Sequence, residues 1–406
     1  MGVVTLGEIT DSCLGKMLDA EKNVGEYQPY LANINVRWGS FDTTSLSQMK
    51  FELHENERYG IRKGDLIVCE GGEPGRCAIW DESIPNMKIQ KALHRVRAKT
   101  GTDIRYIYYW LLLAGKQNLL KGYFTGSTIK HLPGDKLKSI TLDLPDFATQ
   151  SRISDTFSLL DARIKCNTAI NDNLQQMAKT IYDYWFTQFD FPNADGKPYR
   201  SSGGKMVWDD KLKREIPFGW TVCEVLDIVK WESNSQPPKS EFVYEQRPGY
   251  IRFIQNRDYD SDDHITYIPY KKGLSIVNQY DILMDKYGDA GAVRYGIEGA
   301  FNVALGKICV NDESQLEYIR SFFESLSTYT YLHNSCMAST RASLSEDNLY
   351  KLFIPVPPHD VVESYQQILH KIRESVLKNK DESKKLSLLR DWLLPMLMNG
   401  QATIAD

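Results

Sequence analysis

The chain has 406 residues, more than the roughly 250–300 at which a single hydrophobic core stops growing, so two or more domains are expected. Hydrophobic residues make up 42% and charged residues 25%, which excludes wholesale disorder. Forty-nine Lys and Arg against 53 Asp and Glu give a net charge of −4; this excludes a uniformly basic nucleic-acid coat but not a local basic site.

The sequence opens on Met1-Gly2-Val3-Val4-Thr5, with neither the basic segment nor the cleavage pattern of a secretory signal. No run approaches the ~18 apolar residues that a membrane span needs. The cysteines (Cys13, Cys69, Cys77, Cys166, Cys223, Cys309, Cys336) are scattered and form no C-x-x-C pair, so neither a disulfide framework nor a zinc site is expected. The expectation is a protein of the reducing cytoplasm that carries no metal and no cofactor.

Comparing the chain with itself shows one unit written twice. Val4-Thr5-Leu6-Gly7-Glu8-Ile9 is similar to Cys223-Glu224-Val225-Leu226-Asp227-Ile228, an offset of 219. Tyr30-Leu31, Ile34 and Arg37 match Tyr250-Ile251, Ile254 and Arg257 at 220. Gly64-Asp65-Leu66-Ile67-Val68 with Gly72 and Gly75 matches Tyr280-Asp281-Ile282-Leu283-Met284 with Gly288 and Gly291 at 216. From Ala92-Leu93 (Ala304-Leu305) onward the offset is 212, so that Ser127-Thr128 falls on Ser339-Thr340 and Leu144-Pro145 on Val356-Pro357. Two copies are expected, 1–192 and 193–406. Each opens with Tyr-, Ile-, Val- and Thr-rich runs broken by Gly and Pro, which predict mixed strand and helix.

A long helix follows the Pro-containing boundary in each copy. In the first, 3-4 spacing picks out Ile153, Phe157, Leu160, Ile164, Asn167, Asn171, Leu174, Ala178, Ile181 and Trp185; the second repeats the seam from Tyr365 to Leu397. Such a seam buries against a partner helix. Its polar interruption is Asn167 and Asn171 in one helix, Asn379 and Ser383 in the other. If the helices pair antiparallel, middle meets middle, and these four residues form one polar layer that fixes register. About 37 residues make a rod of roughly 55 Å. The fold class expected is α+β: two mixed α/β domains joined by two long antiparallel coiled-coil helices, with an internal pseudo-two-fold repeat. The segments are 1–145, 146–192 (first helix), 193–357 and 358–406 (second helix).

With these features the chain resembles the specificity subunit of a type I restriction-modification system. The resemblance covers the whole chain. It is sharpest at Tyr182-Asp183-Tyr184-Trp185-Phe186, Gln188-Phe189-Asp190-Phe191-Pro192, Gly196-Lys197-Pro198-Tyr199, Ser201-Ser202-Gly203-Gly204-Lys205-Met206-Val207-Trp208 and Ile216-Pro217 to Gly219-Trp220. Arg390, at a seam position, departs from an apolar seam. The resemblance implies two target-recognition domains that read a split double-stranded DNA sequence, spaced by the paired helices. It implies no catalysis by this chain, and partners in adenine-methyltransferase (modification) subunits, two of them, and nuclease/translocase (restriction) subunits. Competing readings are a recognition subunit of a related system and a DNA-independent coiled-coil scaffold.

The motifs for chemistry are missing. Neither Pro-Pro pair, Gln236-Pro237-Pro238-Lys239 or Val356-Pro357-Pro358-His359, fits an adenine methyltransferase, and Gly71 to Cys77 lacks the Lys-Ser/Thr ending of a phosphate-binding loop. For DNA, segment 88–138 holds eleven Lys/Arg against two acids, including Lys88, Lys91, Arg95, Arg97 and Lys130. The interleaved Tyr106, Tyr108, Tyr109 and Trp110 are expected in a buried helix. Segment 193–357 is net acidic, with 19 Lys/Arg and 23 Asp/Glu. Its candidates are isolated: Arg252, Arg257, Lys286, Arg294 and Arg341. With Arg37 and Arg76 on the first copy's loops, these residues are expected at phosphates and base edges, Arg and Lys to guanine, Asn and Gln to adenine.

Overall fold

A computed structural model of the chain describes residues 2–19, 21, 23–337 and 343–404. The chain forms two compact units, one of Met1–Cys166 with Glu382–Asp406, the other of Asn167–Asp381. Among the described residues no helix is long and apolar enough to cross a membrane.

The first unit is built on a four-stranded antiparallel sheet in the order Thr10–Leu14, Leu93–Ala98, Leu66–Cys69, Cys77–Ile79. All four residues of Leu66–Cys69 are buried because both faces of this strand are covered. Alternate side chains point opposite ways: Leu66 and Val68 join the core with the helix Ile104–Lys116, while Ile67 and Cys69 pack with Trp80, Met87 and Ile89. Asp103 caps that helix through the Arg105 amide at 2.8 Å. Tyr106, Tyr108 and Tyr109 are buried in it, in the structural role expected of them. A second sheet, Ser47–Phe51, Glu26–Leu31 and Lys88–Ile89, ends in a parallel pair.

The second unit repeats this plan. Its sheet runs Val229–Ser233, Leu305–Val310, Ile282–Asp285, Val293–Arg294, and the parallel pair recurs between Tyr250–Ile254 and Gly299–Phe301. Small contacts repeat as well. Tyr106 donates its hydroxyl to the Asp143 carbonyl and Tyr318 donates to Pro355, both displaced by 212. The backbone register corrects the alignment in one place. Tyr30 pairs with Lys88 and Phe253 with Ala300, and Lys88 and Ala300 are themselves 212 apart. Tyr30 therefore corresponds to Phe253, an offset of 223 and not 220, and Arg37 corresponds to Asp260 and not to Arg257. The next turn agrees: Asn35 accepts from the Ala32 amide and Asp258 from the Gln255 amide.

Two long helices, Phe147–Tyr182 and His359–Met398, pass from one unit to the other after Cys166 and Asp381. Each unit thus holds an antiparallel pair made of one segment of each. In the first unit Ile153, Phe157, Leu394, Leu397 and Met398 are buried together, and Arg163 donates twice to Glu382, both at 2.9 Å. Arg390 enters the seam by pairing with Asp161 at 2.7 Å, and Asp161 also accepts from the Tyr109 hydroxyl at 2.8 Å. In the second unit Asn379 donates to the Asn171 side chain at 2.9 Å, Asn171 to the Val376 carbonyl at 3.2 Å and Asn167 to the Asn379 carbonyl at 3.5 Å. Ser383 belongs to the first unit. The first helix ends in a wide π-turn, Asp183–Thr187. Phe186 in that turn and Phe189, Phe191 and Trp220 beyond it form an aromatic cluster with Tyr318 and Tyr365, which gives the sharpest part of the sequence resemblance a packing role.

Candidate nucleic-acid interface

In the first unit three loops meet: 33–42, 70–76 and 124–131. Asn33 donates to the Gly71 carbonyl at 2.7 Å, and Arg76 returns to the Asn33 carbonyl and side chain at 3.1 and 2.9 Å. Gly72 lies in the left-handed region, φ +75°, and a Cβ there would stand 2.5 Å from Asn33 Nδ2, so glycine is required. Glu73 accepts from the Trp38 indole at 2.7 Å and from Arg76 at 3.1 Å. The third loop is closed by a mutual backbone bridge between Thr125 and His131 and tied to the second by the Leu132 amide on Glu70 O, 2.7 Å. Arg37, Ile129 and Lys130 are exposed on these loops.

The second unit builds the first two of these loops with other chemistry. Asn256 donates to Asp285 at 2.9 Å, and Arg294 donates to the other oxygen of that carboxylate at 3.1 and 2.8 Å. Burial pushes the Asp285 carboxyl above its ordinary range, and Arg294 opposes that. Tyr329 donates to Asp289 at 2.6 Å, and the Leu344 amide binds Lys286 O at 2.9 Å, where the first unit has Leu132 on Glu70. Tyr287 and Arg257 are exposed, and Lys286 is half-buried.

The basic residues of 88–138 do not all serve one surface. Arg95 is buried and donates through one Nη1 to the carbonyls of Glu57, Arg58 and Gly60 at 2.8, 2.7 and 3.1 Å. Lys88 is buried on the Asn86 carbonyl at 2.7 Å, and burial lowers its pKa. Arg97 forms a two-pronged pair with Asp65 at 2.7 and 2.9 Å. Arg252 is held by Asp262 at 2.8 Å and Asp258 at 3.6 Å. Lys91 and Lys130 are exposed, Lys130 donating to Gly126 O at 2.8 Å. Arg341 lies outside the described residues. Sequence reasoning missed Asn33, Trp38 and Glu73, and Asn256, Asp285 and Tyr329, because each acts on a residue 29 to 40 positions away. The glycines opposite Asn33 were the one local signal.

The family model described as the type I restriction modification DNA specificity domain matches residues 1–176 and, a second time, 217–387. The chain belongs to that family. The specificity chain is 24% identical over 352 residues to the type I restriction enzyme MjaIX specificity subunit of Methanocaldococcus jannaschii, covering 85% of this chain and 79% of that one. It is 23% identical over 417 residues to the HindI specificity subunit of Haemophilus influenzae, with 86% and 89% covered. The solved S subunit of a type I system from M. genitalium shares its fold, with a TM-score of 0.61, 14% identity and 98% and 96% of the chains covered. As a pair of specificity domains, the chain is the DNA-recognition component of such a system and not its enzyme.

Proposed function

We propose that the two loop surfaces of this specificity subunit read the two halves of a split DNA target. The observation that supports this reading is the duplication itself: the same sheet frame with its first two loops is built twice, from non-identical residues. Two different modules in one chain suit an asymmetric bipartite site, which a homodimer does not. Segments 1–145 and 193–357 are the readers in this proposal, and 146–192 and 358–406 set the half-site separation, with the bonded Asn167, Asn171 and Asn379 fixing helix register. Arg37, Lys91 and Lys130 in the first unit, and Arg257 and Lys286 in the second, contact phosphates or base edges. Arg76, Arg97, Arg252 and Arg294 hold the loops through their acidic and amide partners, while Lys88 and Arg95 hold the scaffold. Arg341 belongs with the second set of contacts by its place in the sequence.

In this reading the chain works in the cytoplasm with two adenine-methylating subunits and with nuclease/translocase subunits. They supply much of the positive field that the acidic second reader lacks. The test is to map adenine methylation across the genome with and without this gene. One split motif should lose its methylation. A footprint of the chain with its methylating partner should show two protected half-sites, and absence of protection would instead mark a DNA-independent scaffold.

A further inference from the structure

The second unit contains a polar cleft of about 390 Å³ whose origin is visible in the repeat. Three of its lining residues are small, namely Ala178, Ser321 and Ser325. Their equivalents 212 positions away are Arg390, Tyr109 and Leu113. In the first unit Arg390 and Tyr109 fill this space by converging on Asp161. The residue equivalent to Asp161 is Arg373. At these positions the second copy therefore carries three smaller side chains than the first, and a cation where the first has an acid. A hole left by simple truncation in a core is apolar and dry; this one is lined by charge.

Arg373 is buried at the floor, donating to Tyr295 Oη at 3.2 Å, to Glu324 at 2.5 Å and to Glu317 at 3.3 Å. Glu317 is shared with the fully buried Arg320. Arg294, on another wall, is matched by Asp285 at 2.8 Å and Asp289 at 3.7 Å. Those carboxylates account for the arginines. Lys179 and Lys380 are exposed at the mouth, opposed by Asp183. The Lys380 ammonium lies over the Tyr295 ring, 5.7 Å from its centre, on which Arg320 and Arg373 also converge at 4.9 Å. Tyr259 lines the cleft, but its hydroxyl is turned into the protein, inaccessible to solvent. The volume falls in the roughly 300–1,000 Å³ range of small-molecule sites.

We propose that this cleft binds a small phosphate-bearing anion, with Lys380 and Lys179 at its mouth. The first unit cannot bind one at the equivalent place, because Arg390 and Tyr109 occupy it. The chemistry fits either free phosphate or the phosphate of a nucleoside monophosphate.

The test uses the full chain without DNA, titrated calorimetrically with inorganic phosphate and, separately, with AMP at constant ionic strength. Saturable binding of one ion per chain is expected, and the tighter of the two probes identifies the source. Lys380→Gln should weaken it at least about ten-fold, the loss of one charge-assisted hydrogen bond. Ala178→Arg, which installs the first copy's residue, should abolish it. Ala178→Leu fills the space without adding charge and serves if the arginine variant does not fold. Failure of both probes to bind, or binding indifferent to both Lys380→Gln and the filled cleft, overturns the proposal. Neither result depends on whether the loops read DNA.

Discussion

Arg95 and Lys91 stand four residues apart in one basic run, yet they face opposite fates. Arg95 is buried and ties together three backbone carbonyls, those of Glu57, Arg58 and Gly60. Arg95→Ala should therefore cost roughly 2–4 kcal/mol of stability, read as a lowered urea midpoint, because charge-assisted hydrogen bonds and buried packing are lost together. Lys91→Ala and Lys130→Ala should leave the midpoint unchanged. They should weaken DNA binding for all sequences and shrink the log–log salt slope of the assembled complex by about one for each phosphate no longer neutralised. An unchanged slope would show that these lysines are only solvated. A pH effect belongs at this scale too. Asp190 accepts from the Ser201 hydroxyl and amide at 2.6 and 2.7 Å, and these bonds hold its carboxyl below the ordinary carboxylate range. A depressed folded pKa contributes stability that is present above about pH 4 and lost as pH falls through the folded value. Asp190→Asn should flatten that part of an acid-unfolding curve.

Among the elements, the paired helices carry the clearest prediction. Asn171→Leu leaves the Asn379 amide facing a methyl group and should cost about 1–3 kcal/mol, whereas Asn171→Leu with Asn379→Leu should recover most of it. If the double variant is no better than the single, the two side chains are not coupled. The helices were legible in the sequence because their period is local: seven residues suffice to see a seam. The strand pairing was less so. Tyr30-Leu31 resembles Tyr250-Ile251, yet the hydrogen-bond ladder places Tyr30 with Phe253, because alternating apolar runs look alike at several offsets. The loop surfaces were legible as glycine positions and exposed basic residues. Buried donors such as Arg95 were not, since a strand position gives no sign of which distant carbonyls await it.

At the scale of the molecule, duplication with divergence predicts separable readers. Replacing segment 1–145 with that of another specificity subunit should change one half of the methylated motif and leave the other half and the spacing intact. A change in both halves would contradict independent reading. The acidic second reader should depend more on partner subunits for DNA affinity than the first does, so removing the methylating subunits should abolish protection of its half-site at lower salt.

The interleaving of chain ends within the units bears on how the protein is made. Leu394, Leu397 and Met398 complete the same core as Phe157 and Leu111. During synthesis the unit of residues 1–166 must then wait, with that apolar surface uncovered, until Leu394–Met398 leave the ribosome, while Asn167–Asp381 emerges before them. A nonsense mutation just after Asp381 would thus damage the unit of residues 1–166, far away in sequence, and pulse proteolysis of such a truncation should cut within 1–166 first.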